Sequence, residues 1–256
     1  VIEHGRQKVN SYKAGQFVWV KLGSTAPLYE NPFSIASCSD NQSSQMKFLI
    51  KEVGDFTHQV TELKVGDKIY VDGPYGNFGH EIFSNKSNEI VLIAGGVGIA
   101  PILSLLKQIT QSNGPQLLNK KIVLIYGNRI REQIVNVDQI VDVSSLKSFE
   151  LVHVITEPDT SWHGLTGVLD KVSLEKILTS SNIKINTAQY FVCGPAVMID
   201  SVENALADLS VGLGQIDSEK FQYDFGQENA RNRLSLANWL LATGALIASA
   251  IYLVSH

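Results

Sequence analysis

Cysteine is nearly absent: Cys38 and Cys193 are the only two in 256 residues. Two thiols cannot build a four-cysteine zinc site or hold an iron–sulfur cluster on cysteines alone. Their wide separation points to a reducing, cytosol-like setting rather than a disulfide scaffold. Charge is scarce too, at 18% of residues with a formal net charge of −4. That balance speaks against nucleic-acid binding, whose domains run basic. No metal is expected: His58, His80, His153 and His163 lack ligand spacing such as H-E-x-x-H. A Walker A loop and a G-x-S-x-G elbow are also missing. With 44% apolar residues the chain is too hydrophobic for global disorder. Its length suits one large domain or two of ordinary size, with a core that needs no staple.

Both ends carry a signal. The chain begins at Val1 rather than Met, and Val1 to Val9 reads as a strand entered midway, so an N-terminal part is expected to be missing. No signal-peptide pattern stands at the front. Leu236 to Val254 (LANWLLATGALIASAIYLV) has no charged side chain and is long enough to cross a hydrocarbon core as a helix. Arg231 and Arg233 precede it, and Trp239 and Tyr252 lie near its ends. The positive-inside tendency then places the body on the cytoplasmic side of a membrane. A buried hairpin helix is the alternative.

The first third is dense in short strand-like runs: Gly15 to Val20, Lys47 to Ile50 and Lys68 to Val71. Turn residues punctuate them, as in a small barrel. The polar stretch Ser84 to Asn88 closes this region. From Glu89 the pattern changes to uninterrupted apolar runs, Ile90–Ile93, Lys121–Gly127, Phe149–Ile155 and Gln189–Cys193. Helical stretches near 102–109, 136–141, 173–179 and 197–209 alternate with them. Strand and helix in alternation imply a parallel sheet with right-handed crossovers. The expected organisation is an antiparallel β-barrel domain over 1–86, an α/β domain over 87–225, and a linker with a transmembrane helix over 226–256.

Several stretches bear chemistry. Gly95, Gly96, Val97 and Gly98 follow a strand and open a helix, with Ala100 and Pro101 in its first turn. Such a turn lets backbone N–H groups approach a diphosphate, although glycines also serve plain strand–helix turns. Cys193, Gly194 and Pro195 end another strand. Without a marked base, Cys193 reads as a small packing residue or as a neighbour of a flat cofactor ring, not as a nucleophile. Asn31, Pro32, Phe33 and Ser34 form either an ordinary strand entered through proline or a shelf for an aromatic cofactor. Gly54, Asp55, Phe56 and Thr57 form either a helix cap or an anion seat.

Read in order, these pieces resemble the ferredoxin–NADP reductase superfamily. The stretches that carry the resemblance are Tyr12–Phe17, Asn31–Ser37, Gly54–Thr57, Gly73–Phe78, Gly95–Pro101, Tyr126–Arg129 and Cys193–Pro195. They span about Tyr12 to Phe225 and look most like the flavoprotein portion of membrane ferric reductases and NADPH oxidases. The resemblance implies a flavin-binding barrel packed on a parallel-sheet domain that binds NAD(P)H, and hence an oxidoreductase. It places Phe33 against the isoalloxazine of FAD and Ser34 near its N5. Gly54 to Thr57 then seat the FAD diphosphate, and Gly95 to Pro101 seat that of the nicotinamide nucleotide. Cys193 lies beside the nicotinamide, with Ser34 and Cys193 as the catalytic pair. Asn128, Arg129 and Arg131 meet the adenosine ribose, and the arginines favour NADPH over NADH.

The resemblance also implies single-electron transfer from FAD to a heme in a missing N-terminal membrane domain or a partner. One alternative acceptor is a separate soluble carrier such as a ferredoxin. A flavin-less, membrane-tethered nucleotide-binding module is another reading, because Asn31 stands where the superfamily carries Arg or His. Ala14 stands where Pro is usual. Among Phe221, Tyr223 and Phe225, one aromatic is expected to cover the flavin.

Overall fold

The computed structural model describes residues 12–23, 31–39, 45–84, 87–112 and 115–221. Strict alternation shapes the first part. In β1 (Phe17–Leu22), Val18 and Val20 are buried while Phe17 and Trp19 face the other way. β1 pairs antiparallel with β2 (Asn31–Ser34) in the register Val18 with Phe33 and Phe17 with Ser34. After α1 (Asp55–Thr61), β3 (Ile69–Tyr75) adds antiparallel to the other side of β1. Val18, Val20, Ile35, Met46 and Tyr12 form the small core beneath this sheet. Lys47–Ile50 contributes one bridge, Phe48 with Ile35, and not the expected strand. Among the described residues the barrel is therefore represented by three antiparallel strands. The strand expected over Val1–Val9 lies outside them.

The second part is a six-stranded sheet in which every neighbouring pair is parallel. It opens with β4 (Glu89–Gly95), α2 (Ile99–Gln111), the short α3 (Pro115–Leu118) and β5 (Lys121–Asn128). β6 (Ser148–Ile155), β7 (Leu165–Thr166) and α4 (Lys171–Ser180) follow. β8 (Gln189–Pro195), α5 (Ala196–Asp208) and β9 (Ile216–Phe221) complete it. The central strands are apolar throughout because both faces are covered. Ile90, Leu92, Ile122 and Leu124 pack with α2, whereas Val91, Ile93, Val123 and Ile125 pack with α4 and α5.

Strand order is β7-β6-β5-β4-β8-β9. The chain builds outward from β4 through β5 and β6, then returns to add β8 and β9 on the opposite side. The reversal falls between β4 and β8, where open α/β sheets form a ligand crevice at their carboxyl edge.

One expected helix is not formed. Residues 136–141 give only a 3-10 turn, Val137–Gln139, with Val137 and Val141 as buried plugs. The β-branched residues Val135, Val137, Ile140, Val141 and Val143 lose side-chain freedom in a helix, and two short turns cover the sheet instead.

The two sheets belong to one compact unit that ends at Phe221. Two elements join them. α2 accepts the N–H of Gly15 at Ser104 Oγ (2.9 Å), the N–H of Ala14 at Gln108 Oε1 (3.0 Å) and the Cys38 thiol at Gln111 Oε1 (2.7 Å). β9 accepts the N–H of Gly79 at Asp217 Oδ2 (2.8 Å) and the Ser34 hydroxyl at Glu219 Oε1 (3.3 Å). Among the described residues no helix is long and apolar enough to cross a membrane. The uncharged run Leu236–Val254 lies outside them.

Candidate active site

The site assembles where β4 and β8 end side by side. Ala94 pairs with Cys193, and the chain then turns through Gly96–Gly98 into α2. A Cβ on Gly98 would stand 2.2 Å from the Cys193 carbonyl oxygen, so a larger residue there would push the two strand ends apart. Gly96 has φ +52° and nothing within 4 Å of where its Cβ would be. This half-buried turn, left-handed at Gly96, leads into a helix of 13 residues whose first turn has no side-chain cap. Pro101 has no N–H and that of Ile99 bonds back to the Gly96 carbonyl, so the turn Gly96–Gly98 and the positive end of the dipole are what face an anion. Val97 is half-buried on this turn, whereas Gly95, Ala100 and Pro101 are buried and act by shaping it.

Cys193 is fully buried, and its thiol is pushed well above its ordinary range by burial first and then by Glu219 and Asp217. It stays a neutral thiol, suited to packing and not to nucleophilic attack. Gly194 and Pro195 carry the chain onward, with Pro195 at the N-terminal cap of α5.

β9 supplies what sequence reasoning missed. Glu219 pairs with Cys193 across the sheet and accepts the Ser34 hydroxyl from the antiparallel sheet. Burial, reinforced by Asp217 and offset by the Ser34 bond, pushes its carboxyl up to about 7. Asp217 is also raised, chiefly by burial. Both carboxylates, with Glu81, line a cavity of about 410 Å³ between Asn77–Glu81 and β9. Ser34, Cys193 and Glu219 thus converge from three strands at the switch point.

The stretch expected to form a flavin shelf does not present one face. Phe33 and Ser34 lie on opposite faces of β2, since Phe33 pairs with the buried Val18 and Ser34 with Phe17. Phe33 stacks on Phe56 of α1, with centroids 5.7 Å apart. Asn31 and Pro32 begin the strand, one half-buried and the other exposed. At the α1 start, Thr57 Oγ1 accepts the N–H groups of Val53 and Gly54 and donates to the Gly54 carbonyl. Thr57 is therefore committed to capping, and Asp55 is exposed beside it. Phe221 packs against the core under α2, while Tyr223 and Phe225 lie outside the described residues.

Farther along the sheet edge, Asn128 ends β5, buried beside Tyr126, whose ring also meets that of His153. Arg129 Nε lies 3.7 Å from Glu157, and Arg131 donates to Ser161 Oγ at 3.2 Å. Among the described residues no group of three or more His, Cys, Asp or Glu could hold a metal.

The chain matches the oxidoreductase FAD-binding domain over residues 3–80 and the oxidoreductase NAD-binding domain over residues 92–204. It is 31% identical over 207 residues to a probable dihydroorotate dehydrogenase B (NAD(+)), electron transfer subunit, of Pyrococcus abyssi, covering 81% of this chain and 68% of that one. NADH-cytochrome b5 reductase 1 of Laccaria bicolor is 29% identical over 174 residues, covering 66% of this chain and 54% of that one. A ferredoxin NADP+ reductase from Neisseria gonorrhoeae with bound FAD and NADP shares the fold. Its TM-score is 0.68 at 22% identity, over 84% of this chain and 89% of that one. A parallel sheet with an open turn at its switch point, joined to an antiparallel sheet through Ser34 and Glu219, agrees with these matches: the chain belongs to the ferredoxin–NADP reductase superfamily of NAD(P)H-dependent flavoprotein oxidoreductases.

Proposed function

We propose that the chain collects hydride from a reduced nicotinamide nucleotide at FAD held between its two sheets, and passes the electrons on singly. The observation that carries this reading is the convergence of Ser34, Cys193 and Glu219 beside the open turn at Gly96. The residues fit both groups. Gly95 to Gly98, with Ala100 and Pro101, offer a diphosphate the uncapped start of α2. Cys193, Gly194 and Pro195 border the nicotinamide, and Asn128, Arg129 and Arg131 border the adenosine ribose. Ser34 faces the flavin ring, Phe33 supports the strand from its opposite face, Asn31 and Pro32 lie beside them, and Gly54 to Thr57 approach the flavin diphosphate.

FAD, when bound, supplies the exchange between two-electron and one-electron transfer. The protein's part is position and proton handling. Orienting two bound partners makes their reaction effectively unimolecular. Ser34 and Glu219 form a short path along which a proton can be held or released near neutral pH.

Relatives named as an electron transfer subunit and a cytochrome b5 reductase support a protein carrier as acceptor. The uncharged run Leu236–Val254, with Arg231 and Arg233 before it, supports membrane attachment with the catalytic part on the cytoplasmic side. Together they favour a membrane-side acceptor, either a heme-bearing domain of the ferric-reductase kind or a carrier that docks there.

The test is an absorbance spectrum of the full chain with added FAD, followed anaerobically by NADH and separately NADPH. Bound flavin bleached by either nucleotide is the expected result. A chain that binds nucleotide but stays colourless after FAD is supplied would favour the flavin-less module.

A further inference from the structure

We propose that Glu157 and Asp159, on the loop after β6, make the adenosine end of the nucleotide site selective against a 2′-phosphate, so that NADH is the working nucleotide. This rests on the reading that a nicotinamide nucleotide lies across the carboxyl edge of the parallel sheet. With its diphosphate at the β4–α2 turn and its nicotinamide toward Cys193 and Ser34, the adenosine half extends the other way, over the end of β5. Arg129 and Arg131 stand there. Two guanidinium groups alone would suit a phosphate dianion.

They are not alone. The strand ladder continues past the ends of β5 and β6: the N–H of Thr156 donates to the Asn128 carbonyl at 3.1 Å, and that of Glu157 to the Arg129 carbonyl at 2.8 Å. Backbone bonds thus pin Glu157 beside Arg129, with its carboxylate 3.7 Å from Nε. Arg131 bonds to Ser161, whose own N–H and hydroxyl are held by the Asp159 carboxylate. The Ser161 bonds, then Arg131, hold that carboxyl below its ordinary range, so it is ionised at neutral pH. Two carboxylates stand against two guanidiniums, and the adenosine end carries no surplus positive charge.

These groups are exposed, Arg129 and Glu157 by 64% and 63%, so their pairing adds little to stability. Its consequence is selectivity. A 2′-phosphate must displace a carboxylate or sit beside one, whereas a ribose hydroxyl can donate to a carboxylate oxygen.

The experiment compares the full chain with Glu157→Gln, Asp159→Asn and the double variant. Calorimetric binding of 5′-AMP and adenosine 2′,5′-bisphosphate is measured alongside flavin reduction by NADH and NADPH. The proposal expects the wild-type chain to favour 5′-AMP and NADH by about tenfold or more, and the double variant to lose most of that margin through tighter binding of the 2′-phosphorylated ligands. A wild-type preference for the bisphosphate, or a margin unchanged in the double variant, overturns it. If both ligands bind but neither nucleotide bleaches the flavin, the oxidoreductase reading fails while binding still decides selectivity. If neither ligand binds, both fall.

Discussion

Glu219 is the residue on which the chemistry and the stability of the site meet. Its carboxyl is pushed from an ordinary 4.5 up to about 7. Between those values the native state holds a proton that the unfolded chain has released, so stability falls as pH rises through 7. Replacing Glu219 by Gln removes that dependence. The variant should match the wild type below pH 4 and exceed it above pH 8 by up to about 3 kcal/mol, less any loss at the Ser34 bond. Urea unfolding at the two pH values reads the difference. Any inflection near pH 7 in flavin turnover should vanish in the same variant, and its persistence would assign the proton to another group. Sequence alone did not show Glu219, because its burial depends on a serine 185 positions away on another sheet. Gly98 was legible as a glycine that matters, but the reason differs in part. The Cys193 carbonyl, more than an approaching diphosphate, forbids a side chain there. Cys193 is a small buried residue, as its flanking apolar run suggested, and the carboxylates of Glu219 and Asp217 near it were not legible.

Among the elements, those covered on both faces were the easiest to read. β4, β5 and β8 are apolar without interruption, since each is sandwiched between helices. β9 was missed because its sequence, Ile-Asp-Ser-Glu-Lys-Phe, turns carboxylates toward the antiparallel sheet where an edge strand usually meets solvent. β7 is two residues long and carries no periodicity at all. α2 shows how an amphipathic pattern can hide a second function. Its apolar stripe packs on β4, while Ser104, Gln108 and Gln111 reach the antiparallel sheet. Ser104 is fully buried, accepts from the N–H of Gly15 and donates to the Pro101 carbonyl. Ser104→Ala strands that N–H away from water and should cost about 1–3 kcal/mol in chemical denaturation. Gln108→Ala, at a part-buried bond, should cost less. No loss in either variant would mean that the helix is held by its apolar stripe alone.

At the scale of the whole molecule, the described residues form two unequal sheets linked by hydrogen bonds from α2 and β9, and the proposed reading gives the nucleotide to one sheet and the FAD diphosphate to the other. On the reading proposed above, the nucleotide's seat on the parallel sheet is strong, with an open turn at Gly96 leading into α2. The antiparallel side is weak. Asn31 stands where the resemblance implies a phosphate-binding cation, and the Thr57 hydroxyl is spent on its own helix cap. Nucleotide binding should therefore survive conditions that strip FAD. Asn31→Arg tests the imbalance directly. A charge-assisted contact to phosphate is worth about 1.5–3 kcal/mol, so FAD affinity should rise by roughly 10- to 100-fold. Quenching of flavin fluorescence on titration would report it, with 5′-AMP binding as the unaffected control. Salt should erode the gain, as it does for any phosphate contact near the surface. Unchanged FAD affinity in Asn31→Arg would place the flavin diphosphate away from the start of β2, and would leave it to the first turn of α1 alone.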